Sequence, residues 1–356
     1  MKRLYVAVSH HGLGHLAQTA PVLNALHRLD PGVEIVVRTA LPRATLELRL
    51  EMPFEHRTEA SDCNLVMHDA IRADVPASLT AYRAFHRDWQ HKVDAEAEQL
   101  DALKVDAVFS NVGYLPLAAA HLAGLPAASM CSLNWADIFR HYLGDEPGAA
   151  RMLDQMTAAY AGAQVFMRPE PAMPMTDLAN AVAIPPVVQV GRNRRDELVD
   201  RLGRAPDSKL VLVGMGGIRY RPPVEQWPHL PGVVFLVPDD WRAAHPGTCA
   251  LRDTGMVFRD VLASSDALIT KPGYGSYAEA AATGVPVLTI PRPDWPEAPY
   301  LNDWLAAAAR MLILGEERFL SGELAGPLDA LWEMPAKPPI AADGALAAAR
   351  RLLELG

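Results

Sequence analysis

Residues 266–291, DALITKPGYGSYAEAAATGVPVLTIP, constrain the fold of this chain more than any other stretch. Ala267 to Thr270 reads as a short buried strand, followed by a loop carrying Gly273 and Gly275 and a helix from about Ser276 to Ala282. Gly284 ends that helix, and Val285 to Ile290 is a second apolar run, interrupted by Pro286. A strand, glycine turn, helix, strand unit belongs in a parallel sheet. There the first free N–H groups of the helix point into the crevice beyond the strand ends and favour an anion such as a diphosphate. Two readings of Ser276 and Glu279 stand side by side. In one they form a capping box at the helix start; in the other the Glu279 carboxylate takes both hydroxyls of a ribose.

The remainder of the chain repeats this alternation. Arg3 to Val8 is a strand, Ser9 to His15 a glycine loop, Leu16 to Leu29 a helix and Val33 to Thr39 a second strand. A long polar-faced helix is expected from about Ser78 to Leu103, before the strand Asp106 to Ser110. In that helix Tyr82, Phe85, His86 and Trp89 recur at core spacing. Ile184-Pro185-Pro186-Val187-Val188 reads as a stiff crossing, and Arg192, Arg194 and Arg195 as a solvated helix start beyond it. Lys209 to Val213 then runs into Gly214-Met215-Gly216-Gly217, so the second half opens as the first did. The expected architecture is α/β: two Rossmann-like parallel-sheet domains facing a cleft, residues 1–188 and 189–342. The last helix, within 343–356, is expected to return to the first domain.

Composition narrows the function. Of 356 residues, 33 are Lys or Arg and 42 Asp or Glu, a net charge of −9 with no long basic run, which argues against general nucleic-acid binding. The three cysteines, Cys63, Cys131 and Cys249, are scattered and form no CxxC pair, which points to a reducing, cytoplasmic setting without a zinc cluster. The apolar stretch from Leu4 to Val8 is too short for a signal peptide. The most apolar window, Leu115 to Leu133, is split by Gly124 and Pro126 into a helix and a strand, which predicts a core element and no integral membrane segment.

In the first glycine loop, His10, His11 and His15 flank Gly12 and Gly14. His11 and His15 have the spacing of a helical metal pair, but the glycines between them argue against a helix, and no metal is expected. The glycines permit a turn from which His15 opens the next helix and projects into the cleft, where an imidazole is suited to removing a hydroxyl proton; a histidine that only bonds the loop backbone is the other reading. Gly12-Leu13-Gly14-His15-Leu16-Ala17 also fits a dinucleotide fingerprint. The second strand ends on Arg38 without the acid that NAD requires, so Arg38 as a contact for a 2′-phosphate keeps an NADP enzyme open.

The segment from Phe258 to Trp304 resembles the donor-binding half of the GT-B glycosyltransferases, notably the N-acetylglucosaminyltransferase of peptidoglycan synthesis. It resembles still more the glycosyltransferase-like N-terminal region of L-arabinokinases. SHHGLGH near the start, NVGYLPLAAAHLAGLPAASMCSLNWADIF in the middle and MPMTDLANAVAIPPVV at the crossing resemble that region too. The sugar-kinase module that follows in arabinokinases has no counterpart before Gly356, so kinase activity is not expected.

The resemblance implies a role for each matching position. His15 falls where inverting members carry the general base. Gly214, Gly216 and Gly217 fall on the loop opening the donor domain, and Phe258 near the backbone that reads the base. Gly273, Tyr274, Gly275 and Ser276 match the diphosphate loop, with Lys271 just before it, and Glu279 matches the ribose carboxylate. Glu297 and Asn302 lie where the family contacts the donor sugar. Lys271 and Pro272 depart from the usual start of that loop, and the usual sugar-facing pair is not evident in PEAPYLND.

The expected reaction is transfer of a sugar from a nucleoside-diphosphate sugar, with UDP the expected nucleotide, to a hydroxyl or amine, with inversion. The partners are that donor and a small-molecule or carrier-linked acceptor, and peripheral association with a membrane remains open. No cofactor is expected, and no Asp-x-Asp triplet occurs to hold a cation. Acceptor contacts are expected from His11, Gly12, Gly14, Asn111, Asn134 and Asp137. Two alternatives share the fold: a nucleotide-sugar 2-epimerase or hydrolase, and a binding module without turnover.

Overall fold

The apolar runs form two sheets, every strand parallel to its neighbours, in the computed structural model, which describes residues 1–355. The first contains β1 (Arg3–Val8), β2 (Glu34–Arg38), β3 (Glu55–Arg57), β4 (Ala107–Asn111), β5 (Ala127–Met130), β6 (Val165–Pro169) and β7 (Ala181–Ile184). Their order is β3-β2-β1-β4-β5-β6-β7, so the chain winds outward from β1, then restarts at β4 on the other side of it. Helices cover both faces, which is why β4 is buried at all five positions rather than at alternate ones. The second sheet contains β8 (Lys209–Gly214), β9 (Val233–Val237), β10 (Thr248–Ala250), β11 (Ala267–Thr270), β12 (Val287–Thr289) and β13 (Met311–Ile313). Their order is β10-β9-β8-β11-β12-β13, with the same reversal between β8 and β11.

Two compact units follow. The first comprises Met1–His68, Ala73–Val187 and the chain from Ala342 onward; the second comprises Asp69–Arg72 and Val188–Ala341. In the first, the helix Gly344–Leu353 places Ala348, Ala349 and Leu352 in one core with Leu4, Val6, Leu23 and Leu26. Gly344 is required there, because a Cβ would collide with the Pro185 carbonyl. In the second unit, Ala70 and Ile71 are buried with Val213, Ile269 and Leu288, and Arg72 is ion-paired with Glu316.

Two local expectations are corrected. The helix expected over residues 78–103 is two helices, Val75–Arg87 and Trp89–Ala102, because Asp88 (φ −114°, ψ 45°) leaves the helical region. The first begins early, at Asp74, whose carboxylate accepts the Ala77 N–H. Tyr82 and His86 are buried, and His86 stacks between Tyr82, Trp89 and Tyr114, as core spacing implies. Arg38 is also not presented to a cofactor. It is buried against Glu96, and also bonds the Tyr5 hydroxyl at 3.1 Å and Gln99 at 3.0 Å. Among the described residues, no helix is long and apolar enough to cross a membrane.

Candidate functional site

In the second unit the reversal of strand order brings two glycine loops together. Thr270, ending β11, pairs in register with Gly214, ending β8, and its hydroxyl donates to the Gly214 carbonyl at 2.6 Å. The loops that follow therefore leave from adjacent strand ends, where open α/β sheets bind ligands. Gly214 leaves little room for a side chain, since a Cβ would lie 3.0 Å from the Phe258 ring, and Gly216 adopts a left-handed φ of +82°. Gly217 is exposed beside it.

The helix after β11 spans Tyr274–Thr283, two residues longer at its start than the sequence pattern suggests. Gly273 is its N-cap and no side chain caps it, so the capping-box reading of Ser276 and Glu279 is overturned. Ser276 is already inside the first turn. The first intrahelical bond runs from the Tyr277 N–H to the Gly273 carbonyl at 3.1 Å, which leaves the amides of Tyr274, Gly275 and Ser276 outside the helix's own ladder. Glu279 is buried one turn further along, at 4% exposure.

Lys271 stands at the mouth of this turn. Its ammonium lies 3.9 Å from where a Cβ on Gly216 would sit and 3.4 Å from one on Gly273, so both glycines leave it space. It donates to the Pro272 carbonyl over a long 3.4 Å. Enclosure lowers its pKa to about 7; the Arg292 charge adds to that fall and the Glu297 charge opposes it. Arg292 stacks over the Trp295 ring at 3.7 Å, and its Nε donates to the Ile71 carbonyl at 3.3 Å. The Trp295 indole donates to Glu297 at 3.0 Å. Asn302 is less open to a ligand than its position implied, because its side-chain oxygen accepts the Tyr277 hydroxyl at 2.8 Å. Sequence reasoning missed Arg292 and Trp295, which no spacing rule marks.

The first unit has its own cluster at the equivalent reversal, between β1 and β4. Val8 pairs in register with Asn111, and the Ser9 N–H donates to the Asn111 carbonyl at 2.7 Å. Gly12 takes a φ of +73°, and the first helix, Gly14–Leu29, opens with His15 in its first turn. His15 is buried, with Nδ1 2.9 Å from the Asn111 side-chain oxygen and 3.6 Å from the Cys131 sulfur. His11 and His15 both lie against Trp135, with ring centroids 5.2 and 5.7 Å away. Trp135 is a fully buried aromatic whose indole donates to Asp62 at 2.8 Å. Asn134 and Asp137 are occupied by a helix start: Asn134 accepts the Asp137 N–H and donates to its carboxylate, both at 2.8 Å. Asn111 likewise turns inward, toward His15 and Gln18.

No family model matches the chain. It is 26% identical over 303 residues to an L-arabinokinase of Arabidopsis thaliana; the match covers 84% of this chain and 29% of that protein's length. Its structure is similar over 99% of the chain to the glycosyltransferase of kitacinnamycin, with a TM-score of 0.63, 15% identity and 98% of that chain covered. It is also similar to S. aureus MnaA in complex with UDP, at a TM-score of 0.57 and 12% identity, covering 99% of this chain and 95% of that one. The chain has the GT-B fold. Within that fold, Lys271 and the helix start after it lie in the second unit, and His15 lies in the first.

Proposed function

We propose that this GT-B protein is a glycosyltransferase that moves a sugar from a nucleoside-diphosphate sugar, UDP being the expected nucleotide, to a hydroxyl or amine acceptor. The reading puts the reaction under inversion and without a metal. The observation that carries it is the start of the helix Tyr274–Thr283: three amides outside the helical ladder, no acidic residue in the first turn, and the Lys271 ammonium alongside. Such a turn carries about half a positive charge and accepts a diphosphate. As the anomeric bond breaks, charge grows on the leaving diphosphate, and fixed N–H groups stabilise it more than they stabilise the bound donor. The similar structure solved with UDP supports a nucleotide ligand on this fold, and the similar glycosyltransferase supports sugar transfer. Glu279 is assigned the ribose, and Glu297 the donor sugar.

The direct test is thermal unfolding with UDP, GDP and dTDP, each with magnesium and with a chelator. UDP at a hundred times its Kd adds about 2.7 kcal/mol, and the gain is expected to be the same in both conditions. Stabilisation only with magnesium overturns the metal-free reading, and no response to any diphosphate overturns the donor site. Incubating a UDP-sugar without acceptor separates the epimerase and hydrolase: rapid formation of a new sugar or of free UDP would select them.

Lys271 gives the site a pH signature. A lysine lowered to about 7 binds an anion fully only below that pH, and loses its charge as the pH rises through it. UDP titrated against the protein above pH ~7.5, where a phosphate with a second pKa of about 6 is already ionised, is expected to bind more weakly as pH rises, by up to about tenfold per unit. Lys271→Met is expected to bind UDP weakly and with a flat profile. A wild-type profile as flat as that of the variant removes Lys271 from the site.

A further inference from the structure

The side chains behind His15 form a chain of amides. His15 Nδ1 lies 2.9 Å from the Asn111 oxygen; the Asn111 amide nitrogen donates to the Gln18 oxygen at 3.2 Å; the Gln18 amide nitrogen donates to the Ser132 hydroxyl at 2.8 Å. All four residues are buried, at 6, 0, 2 and 1% exposure for His15, Asn111, Gln18 and Ser132. They come from three places in the first unit. His15 and Gln18 face the same way one turn apart on the helix Gly14–Leu29, Asn111 ends β4, and Ser132 lies just beyond β5.

An amide has one accepting end and one donating end, so such a chain has a direction. With the Asn111 nitrogen given to Gln18, only its oxygen faces His15. That oxygen can only accept, so Nδ1 carries the ring proton, and in a neutral imidazole the lone pair is then on Nε2. Run the other way, from the Ser132 hydroxyl through reversed amides, the chain would donate to Nδ1 and put the proton on Nε2. A ring in that state has no lone pair at Nε2 with which to take a proton.

We infer that Asn111 and Gln18 are positioning residues, forming with Ser132 a neutral relay that holds the His15 proton on Nδ1 and keeps the Nε2 lone pair for the acceptor proton. The inference rests on the reading of His15 as the base and adds what makes it one. In the step it serves, Nε2 takes the proton of the acceptor hydroxyl while that oxygen bonds to the anomeric carbon. The bond from that carbon to the diphosphate oxygen breaks, and the nucleoside diphosphate leaves with the electron pair. The imidazolium then returns the proton to solvent.

The experiment is 15N NMR of the histidine side chains of the whole protein, with His15 assigned by its loss in His15→Gln. The expected wild-type signature is a protonated Nδ1 and a bare Nε2. Gln18→Met keeps the length of the side chain and removes both of its bonds, freeing the Asn111 amide to turn. It is expected to give a mixture of the two tautomers and a kcat lower by about tenfold, with the KM for donor unchanged. Asn111→Asp, which presents only accepting atoms, is expected to keep the Nδ1 proton even in combination with Gln18→Met. A wild-type spectrum with the proton on Nε2 overturns the relay, as does an unchanged tautomer in a folded Gln18→Met. If that variant fails to fold, the wild-type and Asn111→Asp spectra still decide. The spectrum needs no turnover. The expected tautomer without sugar transfer would defeat the transferase reading alone, and the reversed tautomer with transfer would defeat the relay alone.

Discussion

Replacing His15 with alanine lowers kcat by about 10²- to 10⁴-fold and leaves the affinity for UDP unchanged, the expected outcome if His15 removes the acceptor proton. The two quantities separate because they belong to different parts of the chain. The residues assigned to the diphosphate, from Lys271 to Ser276, are in the second unit, whereas His15, on the helix Gly14–Leu29, and the Asn111 and Cys131 side chains beside its ring are in the first. His15 is 6% exposed, so alanine also opens a space beside Trp135. His15→Gln therefore accompanies it, filling most of that space without a basic nitrogen. Both are measured as initial rates of UDP release with acceptor and as UDP affinity by calorimetry. A rate retained within about tenfold in both variants means the proton is taken elsewhere, and loss of UDP affinity along with rate means the substitution has damaged the fold.

How far the sequence alone carries depends on the distance over which each feature is encoded. The unit from Ala267 to Ile290 was legible because strand, glycine turn and helix follow one another within 24 residues, each marked by a change of apolar period or by a glycine. The start of its helix was not. Ser276 and Glu279 have the spacing of a capping box, but that pattern does not fix its own register, and the helix begins earlier, after Gly273. The break at Asp88 was invisible for a related reason, since neither glycine nor proline interrupts Arg87-Asp88-Trp89 and the aromatic period runs straight through it. Hardest of all are features assembled from distant segments. His15 and Asn111 were each visible as polar residues at a helix start or strand end, whereas nothing local marked Gln18 or Ser132. That the amide of Gln18 joins them into one chain depends on β1, β4 and β5 lying side by side, and local spacing does not encode that order.

Arg38 is the clearest instance, and it yields the largest expected effect on stability. By position it was a candidate for a cofactor phosphate; in the fold it is bonded to Glu96, 58 residues away, with both side chains under a tenth exposed. Burying an ion pair need not stabilise a protein, but removing one partner leaves the other charge buried without its close counterion, which costs about 3–5 kcal/mol. Glu96→Ala is accordingly expected to lose about that much in urea unfolding. The loss is not simply that of a hydrogen bond. Tyr5 donates to Glu96 at 2.8 Å and is itself pushed far above its ordinary pKa, chiefly by burial and then by the Glu96 charge, so it stays neutral; the carboxylate left near Arg38 is that of Glu59, 3.6 Å away and 63% exposed, where solvent screens most of its charge. Replacing both partners, as Arg38→Met with Glu96→Leu, removes the stranded charge and is expected to restore most of the stability. A single variant within about 1 kcal/mol of wild type would mean that water reaches the guanidinium, and would reopen Arg38 to a phosphate ligand. The same double variant tests the NADP reading directly: an Arg38 that serves only the fold leaves UDP binding intact and has no NADPH affinity to lose.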